Sequence, residues 1–157
     1  MEPLKSNESN NNSESKNARS NYGNNPLKPS AAFVGASWMT LIIGMTSYCI
    51  GLYNSAMAYN EKGYYFTILL FGLFSVISVQ KSVRDRLEGI PVTDLYYSIS
   101  WFSTIASIVL LIIGLWNASL LLSEKGFFGM SFVLGLFSAL AVQKNTRDLK
   151  QFESTNI

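Results

Sequence analysis

Four windows of the chain, 29–60, 63–80, 95–123 and 126–143, contain no Lys, Arg, Asp or Glu, while the segments between them all do. A surface helix of a soluble protein keeps a charged face, so runs of this length without one belong where charge is expensive. At the centre of a membrane span a Lys, Arg or Asp costs about 2.5–3.5 kcal/mol, whereas Leu, Ile, Phe and Val each contribute roughly −0.3 to −0.6 kcal/mol. Segments such as Leu41 to Ile50 and Ile105 to Leu115 therefore favour lipid. The pattern predicts four spans of the roughly 20 residues that a bilayer core requires. Four buried helices of a soluble fold would leave no chain to cover them.

The punctuation between the windows sets the expected boundaries. Ser30, after Pro29, is placed to cap the free amides of the first helix. Glu61-Lys62-Gly63 and Glu124-Lys125-Gly126 read as turns, since a glycine just past a helix end takes the left-handed conformation that closes the last carbonyls. Connections this short make the helices on either side antiparallel neighbours. Lys81 to Asp94 reads as an aqueous loop containing Gly89 and Pro91, with Thr93 or Asp94 capping the third helix, and the fourth helix is expected to end near Gln143. The first 30 residues hold eight Asn, six Ser and three of the four prolines, a composition that buries too little apolar area to offset the entropy of ordering. The expected organisation is a disordered Asn/Ser-rich tail (1–30), a two-helix unit (31–86), a loop (87–94), a second unit (95–149) and a C-terminal tail (150–157).

Displacing the sequence by 63 residues superposes Ser37 to Asp85 on Ser100 to Asp148, and 19 of the 49 positions are then identical without a gap, more than shared apolar composition produces. Trp38 falls on Trp101, Gly51 on Gly114, Asn54 on Asn117, and Glu61-Lys62-Gly63 on Glu124-Lys125-Gly126. Gly72-Leu73-Phe74-Ser75 matches Gly135-Leu136-Phe137-Ser138, Gln80-Lys81 matches Gln143-Lys144, and Arg84-Asp85 matches Arg147-Asp148. One hairpin has been duplicated. Because each copy crosses the membrane twice, both enter from the same side and any pseudo-symmetry axis runs along the membrane normal. The fold class is an all-α membrane protein with four transmembrane helices in two tandem, parallel-repeat helical hairpins.

Charge orients this arrangement. Of the twelve Lys and Arg, four lie in the N-terminal tail, three in the central loop, three after Gln143 and one in each E-K-G segment. The excess of basic residues predicts cytoplasmic termini and central loop, with the two short connections outside. The chain has one cysteine, Cys49, and no histidine, so an intramolecular disulfide and the usual zinc ligand sets are excluded, and no cofactor is expected.

The duplicated pattern of G-L-aromatic-N, E-K-G with two aromatics, G-L-F-S and Q-K-x-x-R-D, around an E-G-I-P loop, resembles the YiaA/YiaB two-helix-domain family over about residues 31–148. The resemblance implies a bacterial inner-membrane location and no particular activity.

The candidate packing or interaction residues are the repeated ones: Gly51, Asn54, Glu61, Gly63, Gly72, Gln80, Arg84 and Asp85, with Gly114, Asn117, Glu124, Gly126, Gly135, Gln143, Arg147 and Asp148. Ser37, Thr40, Gly44, Ser47, Gly51 and Ser55 form a small-residue face on the first helix, with counterparts from Ser100 to Ala118, which predicts close packing of the first and third helices. Asn54 and Asn117 would then couple across that seam. Trp38, Trp101, Tyr53, Trp116 and the pairs Tyr64-Tyr65 and Phe127-Phe128 read as interfacial anchors. On a continued helix Lys81 and Asp85 would pair, and the Q-K-x-x-R-D segments either anchor at lipid headgroups or dock a partner. Glu61 and Glu124 are the only acids on the outer side, and no span contains the acid on which a proton-driven exporter depends. No nucleophile and base pair or phosphate loop appears, so an enzyme is not expected. The favoured function is a noncatalytic helix-packing or interaction module, linked to an envelope or stress response, with a small transporter or channel component as the alternative. Expected partners are the lipid bilayer and a second copy or another membrane protein, with no nucleic acid.

Overall fold

The computed structural model describes residues 29–155, and within them the chain forms four α-helices and no strand. They are α1 (Ala31–Asn54), α2 (Tyr59–Leu87), α3 (Asp94–Asn117) and α4 (Leu122–Thr155). Each is long and apolar enough to cross a membrane, as the charge-free windows predict. The expected N-terminal tail, apart from Pro29 and Ser30, lies outside the described residues.

α1 starts as expected, with the Ser30 hydroxyl accepting the Phe33 N–H at 3.2 Å. It ends earlier than the charge pattern predicts, and residues 55–58 make the connection. The E-K-G segments are not the turns. Glu61 sits in the first turn of α2, where its Oε2 accepts the Ala58 N–H at 2.9 Å, and Lys62 Nζ reaches back to donate to the Tyr53 carbonyl at 2.8 Å. The second copy repeats both bonds, from Leu121 N–H to Glu124 at 2.9 Å and from Lys125 to the Trp116 carbonyl at 3.3 Å. A carboxylate thus satisfies an orphan amide at the positive end of one helix, and an ammonium satisfies an orphan carbonyl at the negative end of the helix before it. Gly63 and Gly126 are therefore ordinary helical residues, and a Cβ at either would meet nothing within 4 Å. Gly63→Ala and Gly126→Ala should each stabilise the protein by about 0.5–1 kcal/mol, since alanine has less backbone entropy to lose. Unfolding in detergent followed by circular dichroism checks this, and a loss of stability would mean that a neighbour fills that space.

The left-handed glycine lies at the other end of α2. Gly89 has φ 74°, its N–H bonds the Arg86 carbonyl at 3.2 Å, and the next N–H, of Ile90, bonds the Asp85 carbonyl at 2.8 Å. This pair of bonds closes the helix. Lys81 to Leu87 thus belongs to α2, and α4 likewise runs on past Gln143 to Thr155, so the expected loop and tail are largely helical.

Chain order makes two hairpins, but each arm is clasped by the other unit. α1 packs chiefly on α4 and α3 on α2, while α2 and α4 meet at the centre. Contact between the two arms of one hairpin is slight, and α1 and α3 do not touch. α2 and α4 run parallel with equivalent positions facing each other: the Tyr65 and Phe128 rings, 63 positions apart, stack with centroids 6.0 Å apart and planes at 22°. The pseudo-twofold axis therefore passes between the second helices of the units. Tyr48, Leu69, Phe128 and Phe132 are almost wholly buried around it. The expected close seam exists, but between α1 and α4 rather than between α1 and α3, with Gly44 set against the Gly135 backbone. Of the expected interfacial anchors, Trp116 is exposed, whereas Tyr65 and Phe128 belong to the core.

Candidate functional site

The duplicated motifs meet across the units at the end of the bundle that carries the E-K-G segments. A Cβ on Gly51 would lie 2.6 Å from Phe127 Cε1, and one on Gly114 would lie 2.7 Å from Tyr64 Cε1 and 3.1 Å from the Tyr65 hydroxyl. Each repeated glycine is thus the seat of an aromatic ring that follows the E-K-G of the other copy. Tyr64 secures this contact by donating its hydroxyl to the Leu110 carbonyl at 2.8 Å, and Tyr48 donates to the Tyr65 carbonyl at 3.0 Å. Two equivalent hollows result. One, of about 290 Å³, is bounded by Asn54, Glu124 and Phe127, and the other, of about 340 Å³, by Asn117, Glu61 and Tyr64.

This places Asn54 and Asn117 in separate hollows. Both are exposed, and Asn117 Nδ2 bonds the Ile113 carbonyl of its own helix at 2.8 Å. The expected coupling of the two amides is overturned, because α1 and α3 have no common face. Gly72 and Gly135, equivalent in sequence, serve different contacts: Gly72 receives the Phe132 ring, 2.8 Å from where its Cβ would stand, and Gly135 admits α1 through Gly44.

The opposite end, where α2 and α4 finish, is more polar. Gln80 Nε2 donates to the Leu140 carbonyl at 3.3 Å, tying α2 to α4. Arg84 pairs with Asp85 at 3.0 Å and Arg147 with Asp148 at 3.3 Å. The expected Lys81–Asp85 pair does not form, since Lys81 faces outward while Asp85 turns inward and is taken by Arg84. Arg86 pairs with Asp94 across the loop, and its guanidinium lies 4.0 Å from the centre of the Tyr97 ring.

Sequence reasoning missed Asn145. Its Nδ2 donates to Ser37 Oγ at 2.9 Å, a buried bond joining α4 to α1. The signal available was a break in the repeat, because the first copy has Ser82 at that position. Most other buried hydroxyls bond carbonyls of their own helix: Ser75 to Phe71, Ser78 to Phe74, Ser107 to Thr104 and Ser138 to Leu134. They are satisfied without a polar path between helices.

Four buried side-chain atoms at that same end stand out by lacking a hydrogen-bond partner: Gln80 Oε1, Gln143 Oε1, Arg84 Nε and Arg147 Nε. Arg84 Nε comes only to 3.5 Å of Glu88 Oε1, an ion-pair distance too long for a good hydrogen bond. Two acceptors and two donors related by the repeat are thus available, and buried polar groups of this kind ordinarily find partners. No group of three or more His, Cys, Asp or Glu converges among the described residues.

Comparison with known proteins adds the following. The yiaA/B two helix domain matches twice, over residues 33–85 and 96–148. The chain is 56% identical over 119 residues to the inner membrane protein YiaA of Escherichia coli strain K12, covering 76% of this chain and 82% of that protein. It is 36% identical over 58 residues to the uncharacterized membrane protein YubF of Bacillus subtilis strain 168, covering 36% of this chain and 67% of that protein. No solved structure matches.

Proposed function

This chain belongs to the YiaA/B two-helix-domain family of membrane proteins, and on that premise we propose that it is a noncatalytic interaction module of the bacterial inner membrane, with both termini in the cytoplasm. One observation carries the reading: the duplicated motifs are used on each other. The glycines and aromatics lock the two units into an aromatic core, as Gly51 under Phe127 and Gly114 under Tyr64 illustrate, while each E-K-G segment closes the connection within its own unit. What remains for recognition is the apolar perimeter of α1 and α3, less buried than α2 and α4, and the polar inner end. A second copy or another membrane protein against that perimeter, and lipid around it, are the partners this surface suits.

The inner-membrane location rests on the relative named above, and the orientation on the Lys and Arg excess at the end that carries Gln80 and Gln143. Single cysteines at Gly63 and Gly89, in a Cys49→Ser background, should label from opposite sides of the membrane with an impermeant thiol reagent. Labelling of both from outside would overturn the orientation. The module reading is tested by reconstitution into sealed vesicles. Protein-containing vesicles should hold proton and potassium gradients as long as empty ones, and photocrosslinkers on the α1 and α3 perimeter should trap defined protein adducts in cells. A protein-dependent flux would establish a channel or transporter instead.

A further inference from the structure

At the inner end a cavity of about 430 Å³ opens between α2, α3 and α4. Its floor is apolar, from Val76, Val83, Trp101 and Leu140, and its rim carries Arg84, Lys144 and Arg147. No acidic residue lines it. Asp85 and Glu88 engage Arg84, and Asp148 engages Arg147, from outside the cavity, whereas Lys144 forms no ion pair among the described residues. The lining therefore holds one cation without an ion pair, Lys144, together with the Nε donors of both arginines and the Gln80 carbonyl oxygen, which make no hydrogen bond.

Depth decides what suits such a cavity. Gln80 is the last residue of the charge-free window 63–80 and marks the edge of the apolar zone. Arg84, four residues on, stands about 6 Å further out at 1.5 Å per residue. The headgroup regions together add about 10–15 Å to the hydrocarbon core, so that is headgroup depth. Val76 lies about 12 Å below Arg84 along the helix, at the depth of acyl chains. One cavity thus spans the boundary, with its cations on the headgroup side and its aliphatic and indole surface on the hydrocarbon side. A free inorganic anion would leave that floor unused, and a plain hydrocarbon would leave the cations and unpaired polar atoms unused.

We propose that this cavity binds one anionic glycerophospholipid, its phosphate held by Lys144, Arg147 and Arg84, and an acyl chain lying along Val76, Val83, Trp101 and Leu140. Arginine meets phosphate with paired donors, and the unpaired Nε atoms supply them here.

Trp101 on the floor gives the readout. In a Trp38→Phe, Trp116→Phe background of the full chain, held in phosphatidylcholine nanodiscs, phosphatidylglycerol with brominated acyl chains should quench Trp101 saturably at a stoichiometry near one. Lys144→Gln and Arg147→Gln should each weaken that binding about fivefold, the effect of one basic residue at a lipid surface. Lys81→Gln removes an equal charge at the same end but outside the cavity, and should change it less than about twofold, since exposed charge is screened. Lys144 is exposed, so its variant tests the rim even where Arg147→Gln fails to fold. Equal quenching by brominated phosphatidylcholine, non-saturating quenching, or equal losses in the Lys81 and Lys144 variants would reduce the effect to ordinary boundary lipid and overturn the proposal. Displacement of the brominated lipid by millimolar inorganic phosphate would assign the rim to a free anion and likewise overturn it. Phosphatidylglycerol dependence confined to the cavity variants confirms it.

Discussion

Phe132→Ala should destabilise the detergent-solubilised protein by about 2–3 kcal/mol, and Gly72→Leu should restore much of that loss. The Phe132 ring is 1% exposed, leans on Tyr48 at 6.3 Å between centroids, and fills the notch left by the absent side chain of Gly72. Phe→Ala in a soluble core costs about 3–5 kcal/mol. In a bilayer the separated helices already lie in an apolar medium, so the cavity and its lost contacts make up most of the cost. A leucine at 72 in the native protein would collide with the ring, since even its Cβ would stand 2.8 Å from Phe132 Cζ, and should cost about 1–3 kcal/mol. In the double variant the same leucine grows into the vacated volume. The two losses should be strongly non-additive in unfolding titrations. Additive losses would mean that the ring and the glycine do not share that space.

Gly44→Ala is expected to cost about 2 kcal/mol, and Gly135→Ala under about 1 kcal/mol, although the two glycines face each other. The asymmetry is one of direction. A Cβ on Gly44 would stand 3.0 Å from the Gly135 nitrogen and 3.3 Å from its Cα, and backbone has no rotamer to retreat into, whereas a Cβ on Gly135 meets only Met45 Sδ, at 3.8 Å. A side chain at 44 must therefore push α1 off α4. That separation would also strain the Ser37–Asn145 bond and the Gly51–Phe127 contact at the two ends of the same seam. Thermal unfolding of both variants in one detergent checks the prediction, and equal costs would place the close approach elsewhere.

The number of spans, the duplication and the Ser30 cap were legible because each rests on a local chemical rule. Helix ends were less so. Absence of charge marks where lipid ends, but a helix in water persists wherever its charged side chains and cap allow, as Lys81 to Leu87 does up to Gly89. The E-K-G segment carried two opposed signals, a glycine that stops helices and a glutamate that starts them, and the Ala58–Glu61 bond shows the second prevailing. The pairing of helices was not legible at all. Small residues on α1 announce a close neighbour, but two copies of one motif offer the same complementary surface within a unit and between units. Only the aromatic pairs, with Tyr65 and Phe128 drawn to the axis, resolve that degeneracy. At the end where α2 and α4 finish the residue types were legible, but the swap of Asp85 from Lys81 to Arg84 depended on which way the helix faces.

The clasp between units also sets a timetable for biosynthesis. α1 is complete at Asn54, yet Gly135, the backbone that Gly44 must meet, is made 91 residues after Gly44. At about 5–20 residues per second, roughly 5–20 s pass between the two. During that interval α1 has no partner for its glycine face but lipid, since the first hairpin offers little contact between its own arms. Until Gly135 arrives hydropathy holds α1 in place, and α1 carries no charged residue to oppose it.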